Sequence, residues 1–489
     1  MSALIVVSDP DDWPSSLPGV EVVSGRNYLT DAAYSERRHT RVFNLSRSYR
    51  YQSTGYYVSL LAAARGHRPL PSVTTIQDMR SLTIVRSVTD DLDDLVQHCL
   101  GPIQSDHFVL SVYFGHNMAQ RYTRLALQLF NLFPAPMLRA HFVRDDRWRL
   151  VHIKPIPASD VPDSHWPYLI DVATRHFAGH TRSVSRPKAA QYDLAVLHDP
   201  KAEDAPSNER ALRKFTRAAE QVGFDASMID KDDYGRIGEF DALFIRETTA
   251  VNHHTFRFSR RAAAEGLVVI DDPESIVRCT NKVYLAEALL RHHIALPRTL
   301  IVHRGNVDQI APALGLPCVL KQPDSSFSHG VVKVHSQEEL NERVAELLEK
   351  SDLLVAQEFL PTEFDWRIGV FAGQPLWACR YHMARKHWQI VKHGGDGSHS
   401  YGKVESCAVE NAPKAIVRAA VRAARLMGNG LYGVDLKEVR RKGIVIEVND
   451  NPNIDAGYED RILKDELYLR IMNGFLARVR ARTEGKVRL

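Results

Sequence analysis

The sequence predicts a mixed α/β protein built from several domains. Segments with strand-like and helical periodicity alternate along almost all of the 489 residues, and no low-complexity tract or internal repeat is expected. A chain of this length exceeds one ordinary hydrophobic core, so two to four domains are predicted. The composition, with 44% hydrophobic and 25% charged residues, is typical of a soluble globular protein.

Charge, cysteines and apolar runs exclude several classes of protein. The 63 basic and 59 acidic residues leave a net charge of +4 and are scattered, so no nucleic-acid partner is expected. The five cysteines are far apart and form no CxxC pair, which favours a reducing compartment. The short apolar run at the N-terminus is no signal peptide, and no run approaches the ~20 residues that span a bilayer. We therefore expect a cytoplasmic protein without a membrane partner.

Residues 1–180 are predicted to form the first domain. It begins with a buried strand, "ALIVVSD", and contains an amphipathic helix, "NMAQRYTRLALQLFNLF", that Pro134 ends. A hairpin folded at Asp145-Asp146 follows. The polar stretch at 178–191 is typical of a linker.

Two further domains are predicted at 191–275 and 276–475. In the first of these, "YDLAVLHDP", a helix and two more strands predict a small parallel sheet with crossover helices. From 276 the pattern changes to a helix, two strands around a polar turn, the strand "DLLVAQEFL" and two hairpins. The last hairpin contains "GIVIEVNDNPNIDAG".

This last hairpin carries two carboxylates and an amide on neighbouring strands. Asp435 lies in the first strand, Glu447 and Asn449 share one face of the second, and the basic segment 440–443 connects them. The opposite face is expected to pack in the core and consists of Ile444, Ile446 and Val448. Like charges on adjacent strands repel, and a cation would remove that repulsion. Oxygen donors without cysteine or histidine suit Mg²⁺, or Mn²⁺ in its place; the alternative is a polar, solvent-facing edge.

Two lysines are candidate phosphate ligands. Lys282 is placed one turn into a helix, and Lys321 ends a strand before a turn of small residues that includes Ser326 and Gly330. The backbone N–H groups of such a turn can lie over phosphates while a lysine supplies positive charge. The alternative for each lysine is a solvated surface position. The GxxxxGK[ST] sequence is absent.

A strand end and a basic sheet complete the candidates. The strand "AQEFL" breaks at Pro361 and is either an ordinary strand end or a backbone that pairs with an adenine edge, with Glu363 or Asp365 near a ribose. Arginines and lysines then alternate with aromatic residues, either as a basic sheet surface or as a carboxylate or phosphate site. These basic residues are Arg367, Arg380, Arg385, Lys386 and Lys392.

These pieces occur in an order that resembles the RimK-type ATP-grasp ligases over about residues 191–475. The first 180 residues, with "NLSRSYRYQSTGYYVSLLAAARGHRPLPS", resemble the extra N-terminal domain found ahead of some RimK-type modules. The resemblance implies an ATP-grasp fold in which a small α/β domain precedes a two-lobed ATP-grasp module. It also implies roles for individual residues. The implied nucleotide-binding residues are Lys282, Lys321, Ser326, Gly330, Gln357, Glu358, Phe359, Leu360 and Asp365. The implied catalytic residues are Lys321, Arg367 and Arg380. The implied Mg²⁺ ligands are Asp435, Glu447 and Asn449.

The resemblance implies an ATP-dependent carboxylate–amine ligase. ATP phosphorylates a carboxylate, and an amine or thiol displaces phosphate from the acyl phosphate, which needs alignment and charge neutralisation but no protein nucleophile. The expected substrates are small amino acids or peptides, or a protein acceptor, and a homo-oligomer is left open. The segment "CRYHMARKHWQI" differs from ribosome-modifying RimK enzymes. Two alternatives are a small-molecule kinase and a nucleotide-binding regulatory module without turnover.

Overall fold

The computed structural model describes residues 2–37, 40–82, 84–85, 92–178, 190–202, 205–324, 330–384, 388, 391–393 and 399–483. The chain divides into two compact units. The first comprises Met1–Ala195, Gly223–Ala242 and Arg480–Leu489, and the second comprises Val196–Val222 and Leu243–Val479. The three-domain division at 180 and 275 stays a prediction. Within the described residues, no helix combines the length and apolarity needed to cross a membrane.

The first unit contains one parallel and one antiparallel sheet. The parallel sheet has the order β2-β1-β3-β4, and the antiparallel sheet has the order β5-β6-β7. The strands are β1 (Ser2–Val7), β2 (Val20–Ser24), β3 (Thr40–Asn44), β4 (Arg68–Leu70), β5 (His107–Tyr113), β6 (Met137–Arg144) and β7 (Trp148–Pro155). The helices are α1 (Gly25–Thr30), α2 (Ala32–Ser35), α3 (Thr54–Ala64), α4 (Val73–Asp78), α5 (Asp93–Leu100), α6 (Thr123–Leu132) and α7 (Trp166–Ala178).

Most of the predicted elements in this region are present. The opening strand is β1, which is apolar throughout and fully buried from Leu4 to Val7 because the sheet continues on both of its sides. The hairpin at Asp145-Asp146 is formed by β6 and β7. The predicted amphipathic helix is shorter than its pattern, because α6 begins only at Thr123, after a 3-10 turn.

The middle of the chain forms a four-stranded sheet with the order β11-β10-β8-β9. Its strands are β8 (Tyr192–Leu197), β9 (Phe224–Ile229), β10 (Ala242–Ile245) and β11 (Val268–Ile270). The helices of this region are α8 (Glu209–Val222), α9 (His254–Ala264) and α10 (Pro273–Thr280).

Two larger sheets and one two-stranded antiparallel sheet follow in the second unit. A four-stranded sheet has the order β12-β15-β13-β14, and a five-stranded antiparallel sheet has the order β20-β17-β16-β21-β22. The strands are β12 (Thr299–Val302), β13 (Cys318–Lys321), β14 (Val331–Val334), β15 (Leu354–Glu358), β16 (Phe364–Phe371), β17 (Gln374–His382), β18 (Val391–His393), β19 (His399–Tyr401), β20 (Val404–Cys407), β21 (Leu431–Val439) and β22 (Lys442–Asn449). The helices are α11 (Lys282–Arg291), α12 (Ile310–Leu314), α13 (Gln337–Leu348), α14 (Lys414–Met427) and α15 (Asp465–Thr483).

Two parts of the chain repeat one βαβα arrangement at a spacing of 200 residues. Helices α3 and α9 both have 11 residues, and β4 and β11 begin at equivalent positions. The Ser59 hydroxyl donates to the carbonyl of Pro71 at 2.8 Å, and the Ser259 hydroxyl donates to the carbonyl of Asp271 at 2.6 Å. The strand orders β2-β1-β3-β4 and β9-β8-β10-β11 correspond. The structure therefore contains a repeat that the sequence does not reveal, because the two copies share few identical residues.

Candidate active site

A cavity of about 1710 Å³ lies within the second unit. Ligand pockets commonly measure roughly 300–1,000 Å³, so this cavity has room for two substrates side by side. Its walls come from the two sheets of the second unit, from α11, and from the loops at 205–209 and 248–252. The predicted site residues that line it are Lys282, Lys321, Gln357, Glu358, Phe359, Leu360, Asp365, Arg367, Asp435, Glu447 and Asn449.

Two predicted residues of the described part of the chain, Gly330 and Arg380, do not line this cavity. Gly330 lies at the end of the β13–β14 hairpin, where its carbonyl accepts from the Gln322 N–H at 3.0 Å, and its φ of +68° favours glycine. Arg380 pairs with Trp366 in the strand register and therefore lies on the face of the sheet opposite to Arg367. Its guanidinium lies over the rings of Phe364 and Trp366 instead. Ser326 lies outside the described residues, as do Arg385 and Lys386.

The two candidate lysines enter the cavity from different elements. Lys282 is the first residue of α11 and not one turn into the helix, because the side chain of Asn281 caps the helix there. Its Nζ lies 3.1 Å from Oε1 of Glu447. Lys321 is the last residue of β13, as predicted, and is buried. Burial lowers the pKa of Lys321 to about 8, with Glu447 opposing that shift and Lys282 adding to it.

Arg367 and Lys282 balance the two hairpin carboxylates. The register pairs Asp435 with Glu447 on neighbouring strands. Arg367 donates from Nε to Oδ1 of Asp435 at 2.6 Å and from Nη2 to Oδ2 at 2.8 Å, a bidentate pair. Asn449 Nδ2 donates to Oδ2 of Asp435 at 3.3 Å. The repulsion expected from the sequence is thus offset by protein cations.

The two carboxyl groups differ in their electrostatics. Burial raises the pKa of Asp435, an effect that Arg367 partly opposes and Glu447 increases. Burial acts in the same direction on Glu447, but the ammonium groups of Lys282 and Lys321 outweigh it and hold the pKa of Glu447 below its ordinary value. Glu447 is therefore the more firmly ionised of the pair.

The donor set fits a hard cation that also takes ligands from a substrate. Asp435, Glu447 and Asn449 supply two carboxylates and an amide oxygen side by side. Among the described residues, no three His, Cys, Asp or Glu side chains are grouped as a metal site. A Mg²⁺ ion with one or two protein carboxylates, completed by water and phosphate oxygens, matches such a set.

A β-bulge changes the face of the second hairpin strand that is buried. The register shifts between Asp435 and Leu436, so Leu436 pairs with Val445 and Ile446 is the extra residue. Val445 and Val448 are fully buried in the core, whereas Ile446 lines the cavity. The prediction that Ile444 and Ile446 pack in the core is therefore wrong, and the prediction that Val448 packs there is confirmed. Simple alternation fails because the bulge reverses it.

The predicted adenine segment continues from the end of β15. Gln357 Nε2 donates to Oγ1 of Thr299 at 3.0 Å, and the Glu358 carboxylate accepts from Arg298. Phe359 lies beyond the strand, with its ring under the ammonium of Lys333 at 3.7 Å. Hydrogen bonds to Thr299 and Arg298 thus fix the side chains of Gln357 and Glu358. The segment from Gln357 to Leu360 forms part of the cavity wall.

Sequence reasoning missed Lys437 as a cavity residue. Its Nζ donates to Oδ1 of Asp365 at 2.6 Å and to Oγ1 of Thr362 at 2.7 Å. Lys437 lies two residues after Asp435 on β21, so strand periodicity already placed both side chains on one face. Asp365 is therefore held by an ammonium group and not directed freely at a ligand.

A buried arginine that the sequence did not single out supports the loop after β22. Arg246, at the end of the middle sheet, is 0% exposed, and burial lowers its pKa to about 10. It donates to Oδ1 of Asn451 at 2.6 Å, to the carbonyl of Pro452 at 2.9 Å and to Oγ of Ser207 at 2.8 Å. Next to this loop, burial raises the pKa of Asp450 to about 7. Asn451 and Pro452 are thus fixed at the cavity wall by hydrogen bonds from one guanidinium.

Family comparisons agree with this architecture. Residues 279–466 match the family described as the RimK-like ATP-grasp domain. The chain carries a RimK-like ATP-grasp domain. Residues 25–171 match the family described as the RimK-like ATPgrasp N-terminal domain. The fold is therefore a mixed α/β ATP-grasp fold preceded by this N-terminal domain, as the sequence predicted.

Individual proteins similar to this chain are ligases by name. A probable alpha-L-glutamate ligase from Syntrophotalea carbinolica is 26% identical over 50% of this chain and 81% of its own length. A probable alpha-L-glutamate ligase from Teredinibacter turnerae is 24% identical over 50% of this chain and 85% of its own length. D-alanine–D-alanine ligase from Bacillus anthracis aligns with a TM-score of 0.46 and 12% identity over 60% of this chain and 99% of that chain.

Proposed function

We propose that the protein is an ATP-dependent ligase that forms an amide bond between a carboxylate and an amine, adding an amino acid to an amino acid, peptide or protein. The RimK-like ATP-grasp domain and the glutamate ligases similar to it support this class of activity. One observation carries the proposal. The Lys282–Glu447 and Arg367–Asp435 pairs lie side by side on the wall of a cavity large enough for two substrates.

The reaction proceeds in two steps in this proposal. The γ-phosphoryl group of ATP passes to a substrate carboxylate and ADP leaves; the amine then attacks the acyl carbon and inorganic phosphate leaves. Both steps depend on alignment and on neutralisation of phosphate charge. Lys282 and Lys321 supply fixed positive charge at the phosphates, and Arg367 keeps Asp435 ionised and oriented.

The nucleotide occupies the end of the cavity near β13 and β15. Gln357, Glu358, Phe359 and Leu360 contact the adenine, and the ribose lies toward Asp365. Ile446, which the bulge of β22 turns into the cavity, offers an apolar surface to the base. A flat, apolar ring requires such contacts on its faces as well as hydrogen bonds at its edge.

Asp435, Glu447 and Asn449 would hold Mg²⁺, or Mn²⁺ with the same preference for oxygen donors. When bound, the ion supplies charge neutralisation on the phosphate oxygens. Two neighbouring cations prepare the carboxylates for the ion. Lys282 keeps Glu447 ionised, and Arg367 orients Asp435 by donating to both of its oxygens.

The second substrate occupies the remaining end of the cavity. Asn208, Asn451 and Asp455 line it, and Arg246 fixes their loops by donating to Asn451 and Ser207. The Asn208 N–H also donates to Oδ1 of Asp455 at 2.7 Å. Side chains held in this way orient a polar amine substrate with little loss of rotamer freedom on binding.

Release of ADP, measured with single amino acids and short peptides, tests the proposal together with mass analysis of the products. An amide product formed with ADP and phosphate is the expected result. A phosphorylated product without an amide would instead identify a small-molecule kinase. Nucleotide binding without turnover on any substrate pair would identify a regulatory module.

Lys321→Ala should weaken MgATP binding and abolish the fall in affinity that the wild type shows at alkaline pH. Lys321 is charged below its pKa of about 8 and neutral above it, so wild-type affinity should fall as the pH rises from 7 to 9. The alanine variant should bind on the order of tenfold more weakly at pH 7 and show no further fall. Calorimetric titration measures both; equal affinity of the two proteins at pH 7 would remove Lys321 from the site.

A further inference from the structure

One face of the antiparallel sheet β5-β6-β7 in the first unit carries basic side chains and no acidic one. The strand register places nine side chains on this face in three rows. The opposite face packs in the core of the unit, for example through Phe142 and Ile153. The nine outward residues are His107, Val109 and Ser111 of β5, Arg139, His141 and Val143 of β6, and Arg149, His152 and Lys154 of β7.

Four of these residues form a compact basic group. Arg139 lies opposite Lys154, and His141 lies opposite His152 with ring centroids 5.7 Å apart. Burial, together with the positive charges of His152, Lys154 and Arg139, lowers the pKa of His141. The hydrogen bond that Arg139 makes goes to the backbone carbonyl of Asp160 at 3.2 Å and neutralises no charge. None of the nine outward positions is acidic, and within the described part of the chain Arg139 and Lys154 form no ion pair, so the group is positive.

We propose that this basic face binds an acidic peptide segment that is the acceptor or the product of the ligase. That the peptide is a substrate rests on the proposed function; that the face binds it does not. Guanidinium groups pair with carboxylates bidentately, and lysine adds a point charge. Alternate side chains along a strand are about 6.8 Å apart, which is also the spacing of same-side carboxylates in an extended peptide. Arg139 and His141 have this relationship on β6, and so do His152 and Lys154 on β7.

The composition of the face favours a peptide over a nucleic acid. Sheets that bind single-stranded nucleic acid stack bases on exposed rings of Phe, Tyr, Trp or His and on Arg guanidinium planes, and the large rings of Phe, Tyr and Trp offer the widest stacking surface. None of the nine outward positions holds one of these three residues. Val109, which is exposed at 48%, offers an aliphatic contact of the kind that a peptide side chain can cover.

Fluorescence anisotropy with labelled hexaglutamate, measured without ATP, tests this proposal on the full chain. The wild type should bind, and its affinity should fall with salt. The double variant Arg139→Glu/Lys154→Glu should bind on the order of tenfold more weakly or worse. The matched control, Arg80→Glu/Arg124→Glu, changes the net charge equally at exposed positions on other elements and should stay within about twofold of the wild type.

Several results would overturn the proposal. They are absence of hexaglutamate binding by the wild type, unchanged affinity in the Arg139/Lys154 variant, and an equal loss in the control. Tighter binding of oligouridylate that also depends on Arg139 and Lys154 would assign the face to nucleic acid. The milder Arg139→Gln/Lys154→Gln pair, with Tm as the folding check, covers the case in which charge reversal impairs folding. If the wild type binds hexaglutamate, the Arg139/Lys154 variant does not, and the wild type shows no ligase activity, the basic face is confirmed as a binding site and the proposed function is rejected.

Discussion

Glu447→Gln should lower the rate of ADP release by about 100-fold at limiting Mg²⁺ while the protein stays folded. Glu447 is the more firmly ionised of the two hairpin carboxylates, so its negative charge is present in the free protein at neutral pH. Removing one fixed charge that acts on the transferring phosphate typically costs on the order of 3 kcal/mol in the transition state, equivalent to the stated factor. Folding should persist because the new amide oxygen still accepts a hydrogen bond from Lys282.

The measurement is ADP release against Mg²⁺ concentration, with Tm as the folding control. Glu410→Gln makes the same change of charge at an exposed position outside the cavity lining and should retain wild-type rates. High Mg²⁺ should partly restore the Glu447 variant, since a weakened ion site is filled by mass action. If the Glu447 variant kept wild-type rates at limiting Mg²⁺, the hairpin would be only a polar edge of the sheet, and the proposed metal site would lose its main support.

Arg367→Ala should abolish turnover and also destabilise the fold, whereas Arg380→Ala should do neither to the same degree. Asp435 is 7% exposed, and without Arg367 its carboxylate is buried without its bidentate partner. Breaking a buried pair by removing one member costs about 3–5 kcal/mol. Arg380 lies on the opposite face of the sheet over Phe364 and Trp366, so its removal loses packing and roughly 1–2 kcal/mol.

The pH dependence of stability separates the two arginine variants. Without Arg367 the pKa of Asp435, already raised by burial, rises further, so the folded state binds a proton that the unfolded state releases. The stability that protonated Asp435 contributes is then fully present below the pKa of about 4 that this carboxyl has in the unfolded chain. It is lost as the pH rises through the pKa of the same carboxyl in the folded protein. The deficit of Arg367→Ala relative to the wild type should therefore grow between pH 5 and pH 8. Urea unfolding at both pH values measures it, and a pH-independent deficit equal to that of Arg380→Ala would contradict the assignment.

Elements with a strong local signal could be predicted from the sequence. The closing hairpin follows from two apolar runs around a basic turn, and Asp435, Glu447 and Asn449 do lie together in it. Lys282 and Lys321 line the same cavity because α11 begins and β13 ends beside it. In each case the position within a single element decided where the side chain points.

Features that depend on contacts between distant segments could not be predicted. The bulge at Ile446 has no signal in the alternation of apolar residues, because it arises from pairing with β21. Arg246 is about 200 residues from the loop that it holds, and nothing in its local sequence marks it as buried. The alternation of basic and aromatic residues groups Arg380 with Arg367, whereas the strand register places the two side chains on opposite faces of the sheet.

The repeated βαβα arrangement means that a strand of one copy can pair with the sheet of the other copy while the chain is being synthesised. Two segments with the same strand order and helix length can exchange strands while the chain is incomplete, a common route to misfolding in chains with similar neighbours. The two copies differ where such an exchange would occur. The edge strand β4 contains Pro69 where β11 contains Val269, and proline cannot donate a ladder hydrogen bond. The two edge strands therefore differ in the backbone donors that they offer to a neighbouring strand.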